Sequence, residues 1–455
     1  MPKRPPEPTS PPREKAFLVG VELYGQDYLL TMEDSLVELS LLCDTAGLDV
    51  VGELTQKLDR PNPQTFIGSG KVEELKALVE ETLAEVVVFD NELNPRHQRE
   101  LEEALGTRVR VLDRTAVILD IFAQHAHTSE GQLQVKLAQY EYYLPRLTGR
   151  WTHLARQAGG GGGRAGSVGG VGLRGPGETQ LEVDRRAIRR EISRLKEELE
   201  KVRAHRENYR TQRKRARLPT VALVGYTNAG KSTLLNRLAR ADIYVADQLF
   251  ATLDPTTRRV HLAGNETALC TDTVGFIQKL PTTLVSAFRA TLEEIAEADL
   301  LVHVVDISHP NAMNQAEAVQ QTLEEIGAGH VPQVIALNKI DRLPDPVSAR
   351  ASLEHFPRAV AISAHTGEGV DELRSLIRYA LYESFTPIQV RLPYQQGQLI
   401  SMFYEFGQIE RIEHERTGVF LQGRIPGRLA AQFSAWKLKP GETIEKENSH
   451  DAVVE

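Results

Sequence analysis

Cysteine is almost missing from this 455-residue chain: only Cys43 and Cys270 occur, both in apolar stretches. Two thiols so placed build no disulfide framework and point to a reducing compartment with the thiols buried. Long apolar runs are also missing. No stretch approaches the roughly 18 apolar residues that a membrane span needs. The start, Met1 to Lys15, is rich in proline and charge where a secretion leader would be apolar. The protein is therefore expected to be soluble and cytoplasmic. A net charge of −8 excludes a uniformly basic nucleic-acid coat.

The charge is unevenly placed. Gly177 to Arg217 carries 14 Lys/Arg against 8 Asp/Glu, a net of +6, which leaves −14 for the rest. Its last part, Arg203, Arg206, Arg210, Arg213, Lys214, Arg215 and Arg217, has little acidic relief. It suits contact with a phosphate backbone, the alternative being a solvated helix face.

Chemistry is concentrated in four motifs between residues 225 and 365. Gly225-Tyr226-Thr227-Asn228-Ala229-Gly230-Lys231-Ser232 follows the apolar run Val221 to Val224 and precedes the helix-like Thr233 to Leu238. In such a strand, glycine loop and helix, backbone N–H groups can wrap a β-phosphate, Lys231 supplies a point charge and Ser232 a magnesium ligand. Alone, the loop leaves ATP and GTP equally open. Asn338-Lys339-Ile340-Asp341, behind the apolar Val334 to Leu337, decides for guanine. The Asp341 carboxylate can accept from the guanine N1–H and exocyclic amine, a donor pair that adenine lacks. Asp272-Thr273-Val274-Gly275 would hold magnesium through water at Asp272 and sense the γ-phosphate at the Gly275 N–H. Ser363-Ala364-His365 would support the ring from its far side. Thr252, 20 residues after Ser232, is the candidate to complete magnesium coordination, with Thr256 and Thr257 as rivals. Phe276 stands where many small GTPases place a water-orienting Gln, and a phenyl ring cannot hold water by hydrogen bonding. Intrinsic turnover should be slow and no catalytic residue is assigned.

The fold class expected is α/β multidomain, since about three domains fit this length. After a disordered tail (1–15), residues 16–125 alternate strands at Ala16 to Leu23, Val50 to Leu54, Val86 to Asp90 and Val109 to Asp113 with amphipathic helices, a small parallel α/β domain. Its Gly68-Ser69-Gly70-Lys71 misses the phosphate-loop spacing and reads as a turn and helix start, with nucleotide binding the lesser alternative. Residues 126–217 carry two coiled-coil stripes, Leu133-Leu137-Tyr140-Leu144-Leu147-Trp151-Leu154 and Leu181-Ile188-Ile192-Leu195-Leu199-Val202. An antiparallel helical hairpin follows, kinked at Pro145. Its tip, 158–177, has 11 glycines in 20 residues with Arg164 and Arg174 interspersed, and takes shape only against a partner unless it is a plain linker. A Ras-like P-loop GTPase domain (218–384), a small α+β domain (385–440) and a tail (441–455) complete the chain.

Gly169-Gly170-Val171-Gly172-Leu173-Arg174-Gly175-Pro176-Gly177-Glu178-Thr179-Gln180-Leu181-Glu182, followed by Asp184-Arg185-Arg186, resembles the signature of the HflX family of translational GTPases. So do Phe250-Ala251-Thr252-Leu253-Asp254-Pro255-Thr256-Thr257-Arg258, Asp272 to Phe276 and Asn338 to Asp341. The resemblance implies a GTPase that binds the large ribosomal subunit and ribosomal RNA, hydrolyses GTP there and dissociates stalled ribosomes under stress. It also implies GTP contacts over Gly225 to Thr233, Phe250 to Asp254, Asp272 to Gly275, Asn338 to Asp341 and Ser363 to His365. Mg2+ is the expected cofactor. Asn228 resembles the asparagine that holds K+ in some GTPases, although bracing of its own loop is the leading reading. A monomer is expected, self-association through the stripes being the other option. Competing functions are a GTP-gated scaffold and a GTPase of ribosome assembly or RNA modification.

Overall fold

The computed structural model describes residues 13–26, 28–106, 108–147, 180–216, 218–240, 249–250, 253–262, 266–279, 289–343, 356, 358–383 and 385–438. The glycine-rich tip with Arg164 and Arg174, Ala251, Thr252 and both tails beyond these limits lie outside them.

The N-terminal unit is a four-stranded parallel sheet in the order β2-β1-β3-β4, formed by β1 (Glu14–Leu23), β2 (Leu48–Leu58), β3 (Val86–Phe89) and β4 (Arg110–Asp113). The period-2 alternation of a strand sends Ala16 and Leu18 into one core and Phe17, Val19 and Val21 into another. Helices α1 (Met32–Thr45) and α4 (Arg114–His125) cover the first face, and α2 (Ser69–Thr82) and α3 (Pro95–Leu105) the second. Gly68 to Lys71 opens α2, and the Lys71 ammonium pairs with Glu74 at 3.0 Å. Cys43 and Cys270 are both buried, and burial pushes each thiol up to about 12.

Helix α5 (Ser129–Tyr143) ends in a 3-10 turn, Leu144–Arg146, because Pro145 cannot continue the helical bonding. Its end is tied to the sheet. Asp113, last residue of β4, caps α4 through the Ala116 N–H at 3.0 Å and also accepts from the Tyr142 hydroxyl at 2.8 Å. The second helix of the hairpin, α6 (Gln180–Ala216), spans about 55 Å at the usual rise. It runs back along α5: Arg185 reaches the Leu147 carbonyl at 3.2 Å, Glu191 pairs with Lys136, and Leu195 is fully buried. The expected antiparallel pair is present. The backbone of α6 includes Arg203, Arg206, Arg210, Arg213, Lys214 and Arg215; their side chains lie outside what is described.

The third unit is a six-stranded sheet, β10-β9-β8-β5-β7-β6, parallel except for the antiparallel edge strand β6. Its strands are β5 (Thr220–Gly225), β6 (Thr256–His261), β7 (Thr267–Asp272), β8 (Leu300–Asp306), β9 (Gln333–Asn338) and β10 (Ala359–Ala361). Helices α7 (Lys231–Ala239), α8 (Arg289–Ala296), α9 (Ala312–Glu325) and α10 (Val370–Arg378) accompany them. A C-terminal antiparallel sheet, ordered β11-β13-β12, consists of β11 (Phe385–Pro393), β12 (Gln408–His414) and β13 (Gly418–Pro426). It packs with α11 (Gly397–Phe406) and the short α12 (Gly427–Ala430) around Phe403 and Phe433.

Candidate active site

The site forms at the carboxyl ends of β5, β7 and β9, where an open parallel sheet presents its loops. Between β5 and α7 the chain turns through Gly225 (φ 154°), Asn228 (φ 57°) and Gly230 (φ 95°). A Cβ on Gly225 would overlap the Val304 carbonyl, and one on Gly230 the Asn338 side-chain amide. Glycine is required at both.

Lys231, first in α7, is buried and donates to the carbonyls of Gly225 at 3.0 Å and Tyr226 at 2.8 Å. Burial pulls its ammonium down to about 8, partly offset by Asp272. Ser232 Oγ donates to the Asp272 carboxylate at 2.6 Å. The two magnesium candidates from different motifs are thus in contact, an oxygen donor pair that suits a hard divalent cation. Thr233 follows, half-buried, on α7. Thr273 Oγ1 donates to the Leu223 carbonyl at 2.7 Å, and Val274 is buried. Gly275 lies against the phosphate loop: a Cβ there would come within 2.9 Å of Thr227 Cα and 3.1 Å of Lys231 Nζ. Phe276 is 2% exposed, and its backbone bonds the loop twice, from Phe276 N–H to Gly225 O at 3.0 Å and from Thr227 N–H to Phe276 O at 2.8 Å.

Asn338 clasps both halves of the site. Its Nδ2 donates to Ala229 O at 2.8 Å in the phosphate loop, while its Oδ1 accepts from Ala364 N–H at 2.9 Å. Ser363 is fully buried and its Oγ accepts from Thr366 N–H at 3.0 Å; His365 is exposed. Lys339 (φ 67°) pairs with Asp306 at 2.7 Å, and the short 3-10 turn Ile340–Arg342 carries an exposed Asp341. Asn228 is exposed at the loop's crest.

Other expected residues stand elsewhere. The Phe250 ring is buried edge-on against Phe122, with centroids 4.7 Å apart. Asp254 accepts from the backbone N–H groups of His127 at 2.9 Å and Thr128 at 2.8 Å, and from the Thr128 hydroxyl. Leu253 is buried in the core shared with α4. The side chains of Phe250 and Asp254 are thus engaged by the α4–α5 corner, which leaves their backbone for any nucleotide contact. Thr257 Oγ1 meets Thr271 Oγ1 at 2.9 Å across the β6–β7 pairing, which engages that rival of Thr252.

Sequence reasoning missed a buried polar group beside the loop. The Tyr226 hydroxyl donates to Glu38 at 2.7 Å and accepts from Gln278 N–H at 2.9 Å. Arg114, 2% exposed, donates to Asp90 at 2.7 Å and to Glu38 at 3.3 Å, and Lys279 pairs with the other Asp90 oxygen. Burial raises the Glu38 carboxyl against the pull of Arg114, whereas at Asp90 burial is outweighed by Arg114 and Lys279, which lower it. His303, buried on β8, is pulled down to about 4 by burial and by Lys231. Apart from Tyr226, none of these residues falls in a motif.

Four family profiles cover nearly the whole chain: GTP-binding GTPase N-terminal over residues 33–123, GTP-binding GTPase Middle Region over 125–213, 50S ribosome-binding GTPase over 220–339, and HflX C-terminal domain over 348–448. The chain belongs to the HflX GTPase family. GTPase HflX of Escherichia coli (strain K12) is 46% identical over 416 residues, covering 91% of this chain and 94% of its own. GTPase HflX of Alkalihalophilus pseudofirmus is 46% identical over 412 residues, covering 90% and 93%. A solved complex of SsGBP with GDP covers 81% of this chain and 99% of its own at 24% identity, with a TM-score of 0.44. Membership of HflX makes this chain a GTPase. Among the described residues no helix is long and apolar enough to cross a membrane, and no group of three His, Cys, Asp or Glu could hold a metal ion.

Proposed function

We propose that this protein is a cytoplasmic GTPase that binds the large ribosomal subunit and its RNA through the hairpin, hydrolyses GTP in a ribosome-stimulated cycle and dissociates stalled ribosomes under stress. The observation that carries the reading is Phe276. Its ring is buried and its backbone is bonded to the phosphate loop, so that position supplies no polar group to orient water. An external contribution to catalysis of the order of 10³ to 10⁵ in rate, as an arginine finger or its equivalent gives, is then expected from a partner. The description 50S ribosome-binding GTPase, carried by the family profile over residues 220–339, supports the large subunit as that partner.

Within the site, Asp341 reads the guanine edge, Lys231 and the loop N–H groups grip the phosphates, and Gly275 senses the γ-phosphate. Ser232 and Thr252 would hold Mg2+ directly and Asp272 through water; the ion, when bound, would neutralise charge on the β- and γ-phosphates. Asn228 would hold K+ beside the α- and γ-phosphates. The basic run Arg203 to Arg215 on α6, with Arg164 and Arg174 at the tip, supplies cations for ribosomal RNA.

The test is GTP turnover with and without ribosomes for the full chain and for a chain lacking Ala158 to Gly177. Stimulation that falls to the unstimulated rate on deletion supports the reading; stimulation and subunit binding that survive the deletion unchanged make the tip a linker and favour a GTP-gated scaffold.

A further inference from the structure

Helix α4 touches two segments, one at each end, that the proposed function sets beside the γ-phosphate: that of Phe250 and Asp254, and that following Gly275. At its first residue, Arg114 donates to the Gln278 carbonyl at 3.4 Å, just past Phe276, while the Asp90 carboxylate it holds also pairs with Lys279. The neighbouring Gln278 N–H reaches the hydroxyl of Tyr226, a residue of the phosphate loop itself. Near the other end, Phe122 carries the Phe250 ring. One turn further on, the α5 cap residue Thr128 takes the Asp254 carboxylate, and Gly131 leaves room for it: a Cβ there would overlap Asp254 Oδ1. Between the two ends, Val117, Ile118, Ile121 and Phe122 share one buried core with Phe250, Leu253, Phe276 and Ile277. Twelve residues of helix span about 18 Å, so a single rigid bar joins the two contacts.

We propose that α4 is an internal effector helix that reads both of these segments together, with Asp254 and Lys279 as positioning residues that hold them for triphosphate. Asp254 and Phe250 stand two residues either side of Thr252 in sequence. Two residues of chain reach at most about 7 Å, so a larger displacement of that threonine requires an anchor to release. The corner that binds Asp254 is the N-terminus of α5, where a carboxylate is favoured by the free N–H groups and the helix dipole. Helix α5 continues into the hairpin against α6. A change at the γ-phosphate therefore alters the bonding at the root of the hairpin, and by thermodynamic reciprocity a hairpin held by a partner alters the preference for triphosphate. The bistable element is the docked corner itself: Asp254 on or off Thr128.

The experiment uses the full chain without any partner, so it stands apart from the ribosomal reading. Affinities for fluorescent GDP and for a non-hydrolysable fluorescent GTP analogue are measured for wild type, Asp254→Ala, Thr128→Ala, Thr128→Ser and Lys279→Ala. Amide exchange over residues 126–135 is followed with each nucleotide. A coupling of ordinary size is roughly 5- to 150-fold. Asp254→Ala and Thr128→Ala should lose at least about fivefold in affinity for the GTP analogue with GDP affinity kept, Thr128→Ser should keep both, and Lys279→Ala should act like Asp254→Ala from the other end. In wild type, exchange at the start of α5 should be slower with the GTP analogue than with GDP, and this difference should vanish in Asp254→Ala. Equal losses for both nucleotides, or exchange at the corner that ignores the nucleotide in wild type, overturn the proposal. If the corner variants do not fold, Lys279→Ala at a partly exposed position decides between the same two outcomes.

Discussion

Replacing Arg114 by Met tests the buried charge cluster that joins the N-terminal unit to the phosphate loop. The guanidinium is 2% exposed and lies between Asp90, fully buried, and Glu38, 10% exposed. Removing one member of a buried ion pair costs about 3–5 kcal/mol, because the remaining charge is left without its partner. Here Asp90 keeps Lys279 and Glu38 keeps the Tyr226 hydroxyl, which places the expected cost at the low end, about 3 kcal/mol. For a unit of roughly 150 residues that corresponds to about 6–12 °C in melting temperature. The pH dependence distinguishes lost charge from lost packing. Burial already holds the Glu38 carboxyl above its ordinary value of 4.5, and loss of Arg114 raises it further. A carboxyl whose folded value exceeds its unfolded one stabilises the fold below the unfolded value, and that contribution disappears as pH rises through the folded value. The deficit of Arg114→Met against wild type should therefore be small near pH 5 and full near pH 8, and Glu38→Gln added to Arg114→Met should recover part of it at pH 8. Calorimetry of the full chain at the two pH values is the assay. A deficit of the same size at both, or none at pH 8, would refute the account of the cluster.

Further outcomes follow from the pocket. Burial draws the Lys231 ammonium down to about 8, and a bound triphosphate would hold its proton. GTP affinity should then fall by up to about tenfold per pH unit above that value, and a flat profile from pH 7.5 to 9.5 would count against the buried ammonium. Gly230→Ala places a Cβ at φ 95° against the Asn338 amide. Backbone strain of about 1–3 kcal/mol together with the lost clasp should weaken GTP by at least roughly 30-fold without loss of helix content by circular dichroism. Asp341→Asn should lower the preference for GTP over ATP by roughly 10- to 100-fold in competition binding, the worth of a charge-assisted bond. Turnover in potassium should exceed that in sodium and the difference should disappear in Asn228→Ala; no cation preference in the wild type removes the potassium ligand from the site.

The parts legible in the sequence were those whose information is local. Gly225, Gly230 and Lys231 announce their loop because its backbone needs these residues within one turn, and the spacing of Leu133, Leu137, Tyr140 and Leu144 marks α5 because a helix repeats every few residues. Pro145 marks its end for the same reason. The strands of the N-terminal sheet were found to within a few residues, β1 starting at Glu14 and β2 extending from Leu48 to Leu58 around a predicted Val50 to Leu54. What stayed hidden depends on pairs distant in the chain. Glu38 and Tyr226 are 188 residues apart, and Arg114 and Gln278 164. No periodicity or motif links such positions. Asp254 shows the limit most clearly: it sits inside a stretch expected from sequence to touch nucleotide, yet its carboxylate binds the N-cap residue Thr128 of a helix that begins 125 residues earlier.

The single amide of Asn338 acts as a ruler between two loops. One side chain with one planar group sets the spacing from the Ala229 loop, proposed to hold the phosphates, to the Ala364 loop, proposed to lie beneath the base. Fragments of the substrate, guanosine on one hand and inorganic polyphosphate on the other, should therefore bind with free energies whose sum falls short of that for the intact nucleotide, since each alone must order a joint that the whole molecule orders once.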